Sequence, residues 1–317
     1  MLNILLLRYH LLLLLTTQIS PTTPQPQAPP PQLPLLPPPN PTSKNLKTTT
    51  FRPAQKQDLP ALTTIIVEAF LPSAAWHYLI PEVKFHKEEI WDCLYEQLVR
   101  GWETFDRART WVNVVTVDLD GGREGRGERE ETPVSLAVWN MRTYSPSSPS
   151  SQPSSQFSIH NLLQTCPLPP STNLTRAASY SSQLAPIEKK FFDPSPADPR
   201  KLYLNILATH PDWDGRGFAA RQVRWGMGVS RGGRGEGEGG FDVGEFGEDE
   251  EGEGVDRDDD DGVNWDGKQV QVPVTLLSSP AGWPVYQELG FDGLENVTVE
   301  MLDGLGELWF EVCRWDG

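Results

Sequence analysis

The feature that most constrains the fold is a strand, a glycine-containing turn and a helix that follow one another between residues 202 and 229. Apolar residues at every second position predict a strand over 202–208, with Leu202, Leu204 and Ile206 on one face. Apolar residues three or four apart predict a helix over about 218–229. Because the first N–H groups of a helix lack intrahelical partners and carry the positive end of its dipole, this junction predicts an anion site.

Two well-known phosphate motifs fit the turn poorly. Gly215 and Gly217 match the start of a dinucleotide-binding G-x-G-x-x-G, but Ala220 replaces its third glycine and no repeated βαβ units follow. A P-loop is excluded because no Gly-Lys-Ser/Thr closes the turn.

The rest of the chain supplies the other elements of an α/β (α+β) domain. Strands are predicted over 49–53, 110–117, 133–139, 272–278, 297–302 and 309–312, and helices over 54–70, 88–102 and 283–289. Gly290 should end the last helix. We predict a mixed, twisted and splayed sheet flanked by helices.

Low-complexity segments bound this domain. Residues 1–48 form a leucine-rich leader and a linker that holds 11 of the 30 prolines, and residues 49–317 form one domain. The Ser/Pro-rich segment 145–199 predicts a long surface excursion, partly ordered where Phe191 and Phe192 could dock. The Gly- and Asp/Glu-rich segment 231–268 predicts a disordered insert.

Charge and cysteine content exclude several classes of protein. The net charge is -16, but residues 231–268 contribute 15 acidic and 4 basic residues, so the remainder is only mildly acidic and has no basic stripe for nucleic acid. Cys93, Cys166 and Cys313 lie far apart without metal-ligand spacing, which favours a reducing compartment and no metal. The acidic run at 256–262 does not fit the register of an EF-hand.

The N-terminus does not predict a membrane span. Arg8 and His10 interrupt the leucines, and Leu11 to Leu15 are too few to cross a bilayer. A secretory signal would need a basic start and a small-residue cleavage site. We therefore expect a cytoplasmic protein without stable membrane insertion; a secreted protein, in which the sequons at Asn173 and Asn296 would matter, is the minority alternative.

Two further motifs produce a resemblance to a known family. Leu207-Ala208-Thr209-His210-Pro211-Asp212-Trp213-Asp214-Gly215-Arg216-Gly217-Phe218-Ala219 resembles the acetyl-CoA motif of GCN5-related N-acetyltransferases (GNAT), Gln/Arg-x-x-Gly-x-Gly/Ala. Gly217 and Ala219 match its small residues, whereas Asp214 stands where the family prefers Gln or Arg. Downstream, the run from Ser278 to Phe291 resembles the family's later strand, helix and Tyr-x-x-x-Gly-Phe.

The resemblance implies roles for residues in both motifs. It implies that backbone groups of Leu207, Ala208 and Thr209 contact acetyl-CoA and that the cofactor's pyrophosphate binds at Asp214, Gly215, Arg216, Gly217, Phe218 and Ala219. Ser279 occupies a position that is often Asn in the family, and Tyr286 occupies that of the acid for the departing thiolate. The sequence Ser279-Pro280-Ala281-Gly282 resembles the corresponding sequence of fungal members.

The acceptor side is less defined by the sequence. The resemblance implies an acceptor site near Trp76 and His77, in the loop after the first helix. Glu68 and His210 are candidate general bases for the amine. The acceptor, a small-molecule or protein amine, and the oligomeric state are not encoded in these motifs. A catalytically degenerate GNAT domain that binds CoA or a protein partner is the alternative, motivated by Asp214 and by the undefined base.

Overall fold

The computed structural model describes residues 49–104, 106–118, 131–144, 172–232 and 271–317. The chain divides into two units, Met1–Asn40 and Pro41–Gly317, and every described residue lies in the second. The predicted linker at 1–48 and nearly all of the predicted acidic insert lie outside the described residues, as does segment 145–171.

The elements follow the order that the sequence predicts, with one additional long helix. They are β1 (Thr49–Pro53), α1 (Leu59–Phe70), α2 (Ala74–Leu79), α3 (Lys87–Thr104), β2 (Thr110–Asp118), β3 (Glu131–Thr143), α4 (Leu174–Ile187), β4 (Arg200–Thr209), α5 (Phe218–Ser230), β5 (Val274–Ser278), α6 (Trp283–Glu288), β6 (Asp292–Met301) and β7 (Gly306–Trp315). The strands form one sheet in the order β1-β2-β3-β4-β5-β7-β6. Only β4 and β5 are parallel neighbours.

Helices cover both faces of the sheet, so two apolar cores form. On the α1 face, α1, α3 and α4 bury residues such as Ile66, Leu94 and Leu184 against the sheet. On the α5 face, α5 and α6 bury residues such as Val223 and Tyr286. A sheet enclosed on both sides explains why the central strands β2 to β5 are apolar along most of their length.

A β-bulge in β4 changes which side chains share a face. Leu204 pairs with Trp139 and Ile206 with Val138, so Asn205 is an extra residue in β4. Because side chains alternate along a strand, one extra residue reverses the faces that follow it. Leu202 and Leu204 join the α5-face core, whereas Ile206 joins the α1-face core. The prediction that Leu202, Leu204 and Ile206 share one face is therefore wrong.

The helix α4 lies in the segment whose Ser/Pro-rich composition predicts a surface excursion. Asn173 caps it by accepting a hydrogen bond from the Arg176 backbone N–H (3.0 Å). A turn of π-helix, Glu188–Phe192, continues it and buries Phe192 completely. This α4–π segment (residues 174–192) packs on the α1 face.

Side chains of α4 attach it to the end of β6 and the turn that follows. Arg176 donates to Asp303 (2.9 Å) and to the Tyr78 carbonyl (3.2 Å). The Gln183 amide donates to the Glu300 carbonyl (3.0 Å) and accepts from the Glu300 N–H (2.8 Å). These contacts fix the position of α4 over the sheet.

Candidate functional site

The central feature of the site is the separation of β4 from β5. The two strands pair only at Leu202–Val274, Tyr203–Thr275 and Leu204–Leu276. From Ile206 to Thr209, β4 pairs with β3 and with no other described strand. The bulge at Asn205 falls just where the pairing stops. A cleft therefore opens beside the last part of β4, with backbone polar groups of that strand along one wall.

Two side-chain hydroxyls fix the end of β4 beside this cleft. Ser135 in β3 is fully buried and donates to the Ala208 carbonyl (3.0 Å). Thr209 donates to the Ser135 hydroxyl (3.1 Å). Ala208 is buried, whereas Leu207 and Thr209 are half-buried. The sequence resemblance implies roles for Leu207, Ala208 and Thr209 but none for Ser135, whose contact with β4 depends on its register in the neighbouring strand.

The glycine turn (residues 214–219) leads from β4 into α5. Gly215 and Gly217 have φ of 73° and 76°, a left-handed conformation that other residues adopt at a cost of about 1 kcal/mol or more. Gly217 is the N-cap of α5, and no side chain caps this helix. The N–H groups at the start of α5 thus lack a side-chain cap, as an anion site requires.

The side chains of the glycine turn face in different directions. Phe218 is buried in the α5-face core and Ala219 is half-buried. Arg216 is exposed and lies over the ring of Trp213, 4.9 Å from its centroid. Gly215 and Gly217 are exposed, and a Cβ at either would meet nothing within 4 Å. The turn therefore offers a backbone surface with one cation beside it, which fits a phosphate-bearing ligand.

Asp214 is the residue of this turn that opposes an anion. Partial burial raises the pKa of its carboxyl, while nearby His210 acts in the opposite direction. His210 itself accepts a hydrogen bond from the Asp212 N–H at its Nδ1 atom (3.2 Å), as the N-cap of a short 3-10 turn. Because that nitrogen is engaged, His210 is a structural cap in this conformation.

The Tyr-x-x-x-Gly-Phe motif is the C-terminal cap of α6. The Phe291 N–H donates to the Tyr286 carbonyl (3.0 Å), the Gly290 N–H donates to the Gln287 carbonyl (3.1 Å), and Gly290 has φ of 83°. This is a Schellman motif, in which the residue after the glycine contacts the one five positions earlier. Tyr286 and Phe291 accordingly pack edge to face, 5.7 Å apart. The motif fixes the position of the Tyr286 ring.

Tyr286 lies on α6, the helix that follows β5, and its ring is buried in the α5-face core. Burial, followed by the nearby Cys313 and Tyr203, raises the pKa of its phenol well above the ordinary value. The phenol is therefore protonated at neutral pH and can donate a hydrogen bond. Ser279 begins the turn before α6, where its carbonyl accepts from the Gly282 N–H (3.0 Å) and its hydroxyl accepts from the same N–H (3.3 Å).

The residues predicted on the acceptor side have mixed surroundings. Trp76 is 2% exposed and stacks on Phe70, so it is a core side chain on the α1 face. His77 is half-buried, and burial together with Lys84 lowers its pKa. Glu68 forms an ion pair with Lys87 at one end of α3.

A cluster that the sequence analysis missed lies on the α1 face beside the point where β4 and β5 separate. Burial raises the pKa of Glu188, the first residue of the π turn, and it raises the pKa of Tyr203 to about 12. Arg142 lies 4.1 Å from the Tyr203 ring centroid, and Phe192 packs on the same ring at 4.9 Å. No local sequence motif predicts this cluster, because its members come from three elements that are brought together only in the folded protein.

Several other features of the described residues bear on function. The described residues contain no group of three or more His, Cys, Asp or Glu residues arranged to hold a metal ion. None of their helices is long and apolar enough to span a membrane. Cys93 is disulfide-bonded, and Cys313 is a free, buried thiol.

Comparisons with known proteins show similarity only at the level of structure. No protein-family model matches the chain, and no curated protein matches it. Among solved structures it is similar to mosquito arylalkylamine N-acetyltransferase like 5b (TM-score 0.41, 10% identity, 84% of this chain and 99% of that chain). It is also similar to Drosophila melanogaster polyamine N-acetyltransferase (0.39, 12%, 85% and 100%) and to Arabidopsis thaliana NAA60 in complex with acetyl-CoA (0.37, 12%, 84% and 98%).

The strand topology of this chain defines the architecture of the domain. Strands β1 to β4 are antiparallel neighbours, β4 and β5 form a parallel pair that separates after three residues, and β7 lies between β5 and β6, antiparallel to both. A bulge in β4 and a glycine turn leading into α5 complete the pattern. This is a mixed, splayed sheet flanked by helices, the α+β architecture that the sequence predicts.

Proposed function

We propose that this chain is an acetyl-CoA-dependent N-acetyltransferase that transfers the acetyl group to a primary amine by direct attack. The observation that carries the proposal is the cleft between β4 and β5, which ends at an uncapped helix N-terminus. A thioester with a long polar arm and a pyrophosphate fits a groove with strand backbone along one wall and free N–H groups at one end.

The residues of the cleft have two kinds of role: some bind acetyl-CoA and others take part in the chemistry. Backbone groups of Leu207, Ala208 and Thr209 hold the pantetheine arm, and the glycine turn from Asp214 to Ala219, followed by the first turn of α5, holds the pyrophosphate. Acetyl-CoA supplies the activated acetyl group. Ser279 keeps the start of α6 in place, and α6 presents Tyr286 to the cleft.

Tyr286 serves as a hydrogen-bond donor to the departing sulfur. Its raised pKa exceeds that of a thiol, about 8.5, so a thiolate cannot remove its proton permanently. The hydroxyl instead stabilises the developing negative charge and passes a proton to sulfur while it receives one from the attacking nitrogen. The resemblance implies that Tyr286 acts as a simple acid, whereas in this role it donates a proton to sulfur and receives one from nitrogen.

The identity of the acceptor belongs to the same proposal. A small-molecule or protein amine enters from the α1 face, near His77 and the α4–π segment. The sequence Ser279-Pro280-Ala281-Gly282 supports the proposal that the chain is a fungal-type member of the family. We propose a cytoplasmic location for the protein.

The proposed function is tested by binding and turnover. Acetyl-CoA at 100 times its dissociation constant should stabilise the folded protein by about 2.7 kcal/mol, which a thermal melt detects. Thiol release should then follow addition of an arylalkylamine, a polyamine or a peptide with a free N-terminus. If millimolar acetyl-CoA leaves the melting temperature unchanged, that result contradicts cofactor binding itself.

Tyr286→Phe tests the chemistry without disturbing the fold. The hydroxyl makes no hydrogen bond in the described structure, so its loss should leave the melting temperature nearly unchanged while kcat falls by about 10²-fold or more. Tyr95→Phe, on the α1 face and stacked on Trp91, is the matched control and should retain wild-type kcat. Acetyl-CoA binding without turnover of any amine would instead support the degenerate domain.

A further inference from the structure

The fork, the point where β4 and β5 separate, has apolar side chains on its α1 face. Just beyond the last β4–β5 pair, Ile206 of β4 is buried on this face and Leu277 of β5 is half-buried on it. Strand β7 adds Phe310, which lies diagonally beside Leu277, because Leu277 pairs with Val312 and side chains two apart share a face. Three neighbouring strands thus form an apolar floor at the fork.

Helix α4 covers this floor. Tyr180 contacts Phe310 edge to face, with ring centroids 6.2 Å apart. Tyr180, Phe310 and Leu277 are all half-buried where they border the α1-face core, so each leaves apolar surface that a ligand can cover. Burial raises the pKa of the Tyr180 phenol, which is therefore uncharged at neutral pH. We call Ile206, Leu277, Phe310 and Tyr180 the fork site.

The α1 face above the fork is crossed at its outer end by a bridge from α2 to the turn after β6. Strands β4, β5 and β6 run in the same direction, so their C-terminal ends share one edge of the sheet. At this edge the Leu302 N–H donates to the Tyr78 hydroxyl (2.9 Å). Arg176 donates to Asp303 in the same turn (2.9 Å) and to the Tyr78 carbonyl (3.2 Å). An extended peptide chain finds this route blocked, whereas a small molecule needs no such route.

The proposed path of the cofactor brings its reactive end to the fork. With the pyrophosphate at the glycine turn, the arm runs along β4 from Thr209 back to Leu207. The thioester, at the far end of the arm, then lies next to the bulge at Asn205, where the two strands separate. Helices α5 and α6 fill the α5 face, so the amine reaches the thioester from the α1 face. The body of the amine therefore lies on the fork site.

We propose that the acceptor is a small primary amine with an aromatic or other apolar body. This inference rests on the proposed function. An apolar body covers the exposed parts of the fork-site side chains, which favours binding. A polyamine would instead bring a second ammonium, and a peptide its amide groups, against aliphatic and aromatic side chains, where burying unpaired polar groups is costly.

The test compares phenethylamine, 1,4-diaminobutane and a tripeptide amide with a free N-terminus in the acetyl-CoA assay. Each kcat/KM is expressed per unprotonated amine, because only the free lone pair attacks and the three amines differ in pKa. Phenethylamine should exceed the other two by about 10- to 100-fold, the effect of burying one phenyl group. An equal or higher kcat/KM for the diamine or the peptide overturns the inference and leaves the proposed function intact.

Phe310→Leu tests the fork site directly. Loss of the ring should raise the KM for phenethylamine about tenfold, while the KM for acetyl-CoA and the kcat/KM for the diamine stay nearly unchanged. Tyr180→Leu, on α4, should change the selectivity in the same direction. Phe51→Leu makes the same replacement in β1, on the α5 face, and should keep the wild-type selectivity.

The outcomes separate this inference from a structural role and from the proposed function. Equal losses for phenethylamine and the diamine in both fork-site variants would show that the two rings only support the fold, and would overturn the inference. The acetyl-CoA-dependent melting shift confirms that each variant folds, and its absence in the wild type contradicts the proposed function. If acetyl-CoA binds to the wild type and no amine is turned over, both fail.

Discussion

Asp214 shows how a single carboxylate controls the charge of the glycine turn. Its pKa is raised, so it ionises as the pH rises through a value above its ordinary 3.8. Phosphate binding favours the neutral form, and acetyl-CoA affinity should therefore decrease as the pH rises through that pKa. Asp214→Asn should remove this dependence and tighten binding at neutral pH about fivefold, the effect of about 1 kcal/mol of repulsion at an exposed site.

Calorimetric titration of acetyl-CoA at several pH values measures this effect. Asp92→Asn provides the control, because Asp92 is exposed on α3, on the opposite face of the sheet. It makes the same change in net charge away from the turn and should bind like the wild type. Weaker binding by Asp214→Asn would mean that the carboxylate holds the turn in shape.

Residues of the site were predictable where a local rule determines them. Gly217 and Gly290 both need a left-handed conformation, and each marks a helix end that the sequence locates to within a residue. Tyr286 was predicted only through the resemblance of its Tyr-x-x-x-Gly-Phe motif to that of the family. Ser135 could not be predicted in this way, because it acts on a partner that is distant in sequence.

Helix α5 contains two glycines with opposite structural requirements. A Cβ at Gly226 would overlap the ring of buried Trp139, whereas one at Gly228 would meet nothing within 4 Å. Gly228→Ala should stabilise the protein by about 0.5–1 kcal/mol through helix propensity. Gly226→Ala gains the same propensity but should destabilise it overall by about 1–3 kcal/mol through overpacking. Urea unfolding of the pair measures both, and equal effects would contradict the close approach of α5 to β3.

At the level of elements, regular patterns were predictable and their interruptions were not. The strands and helices that flank the site have clear apolar periods, and the structure contains each of them. The bulge at Asn205 could not be predicted from this periodicity. The extra residue does not interrupt the alternation of apolar residues in the sequence, but it reverses which face of the sheet the following side chains occupy. Helix α4 has a single buried apolar residue, Leu184, so it carries too weak a stripe to be recognised.

The whole molecule should unfold as one unit although it has two cores. Both cores pack on the same sheet, and their side chains alternate along the same strands. Leu94→Ala in the α1-face core should cost about 2–5 kcal/mol. Combined with Gly226→Ala on the α5 face, it should add to within about 0.5 kcal/mol. Calorimetry of the two single variants and the double variant tests this, and two separate transitions would show that the faces unfold independently.

The contact between Gln183 and Glu300 has a consequence for how this protein meets copies of itself. Strand β6 is an outer strand of the sheet, and such strands can recruit a strand from another chain through their unpaired backbone groups. The Gln183 amide donates to and accepts from the backbone of one β6 residue, as a neighbouring strand would. A helix side chain thus occupies a position at which intermolecular sheet growth could begin.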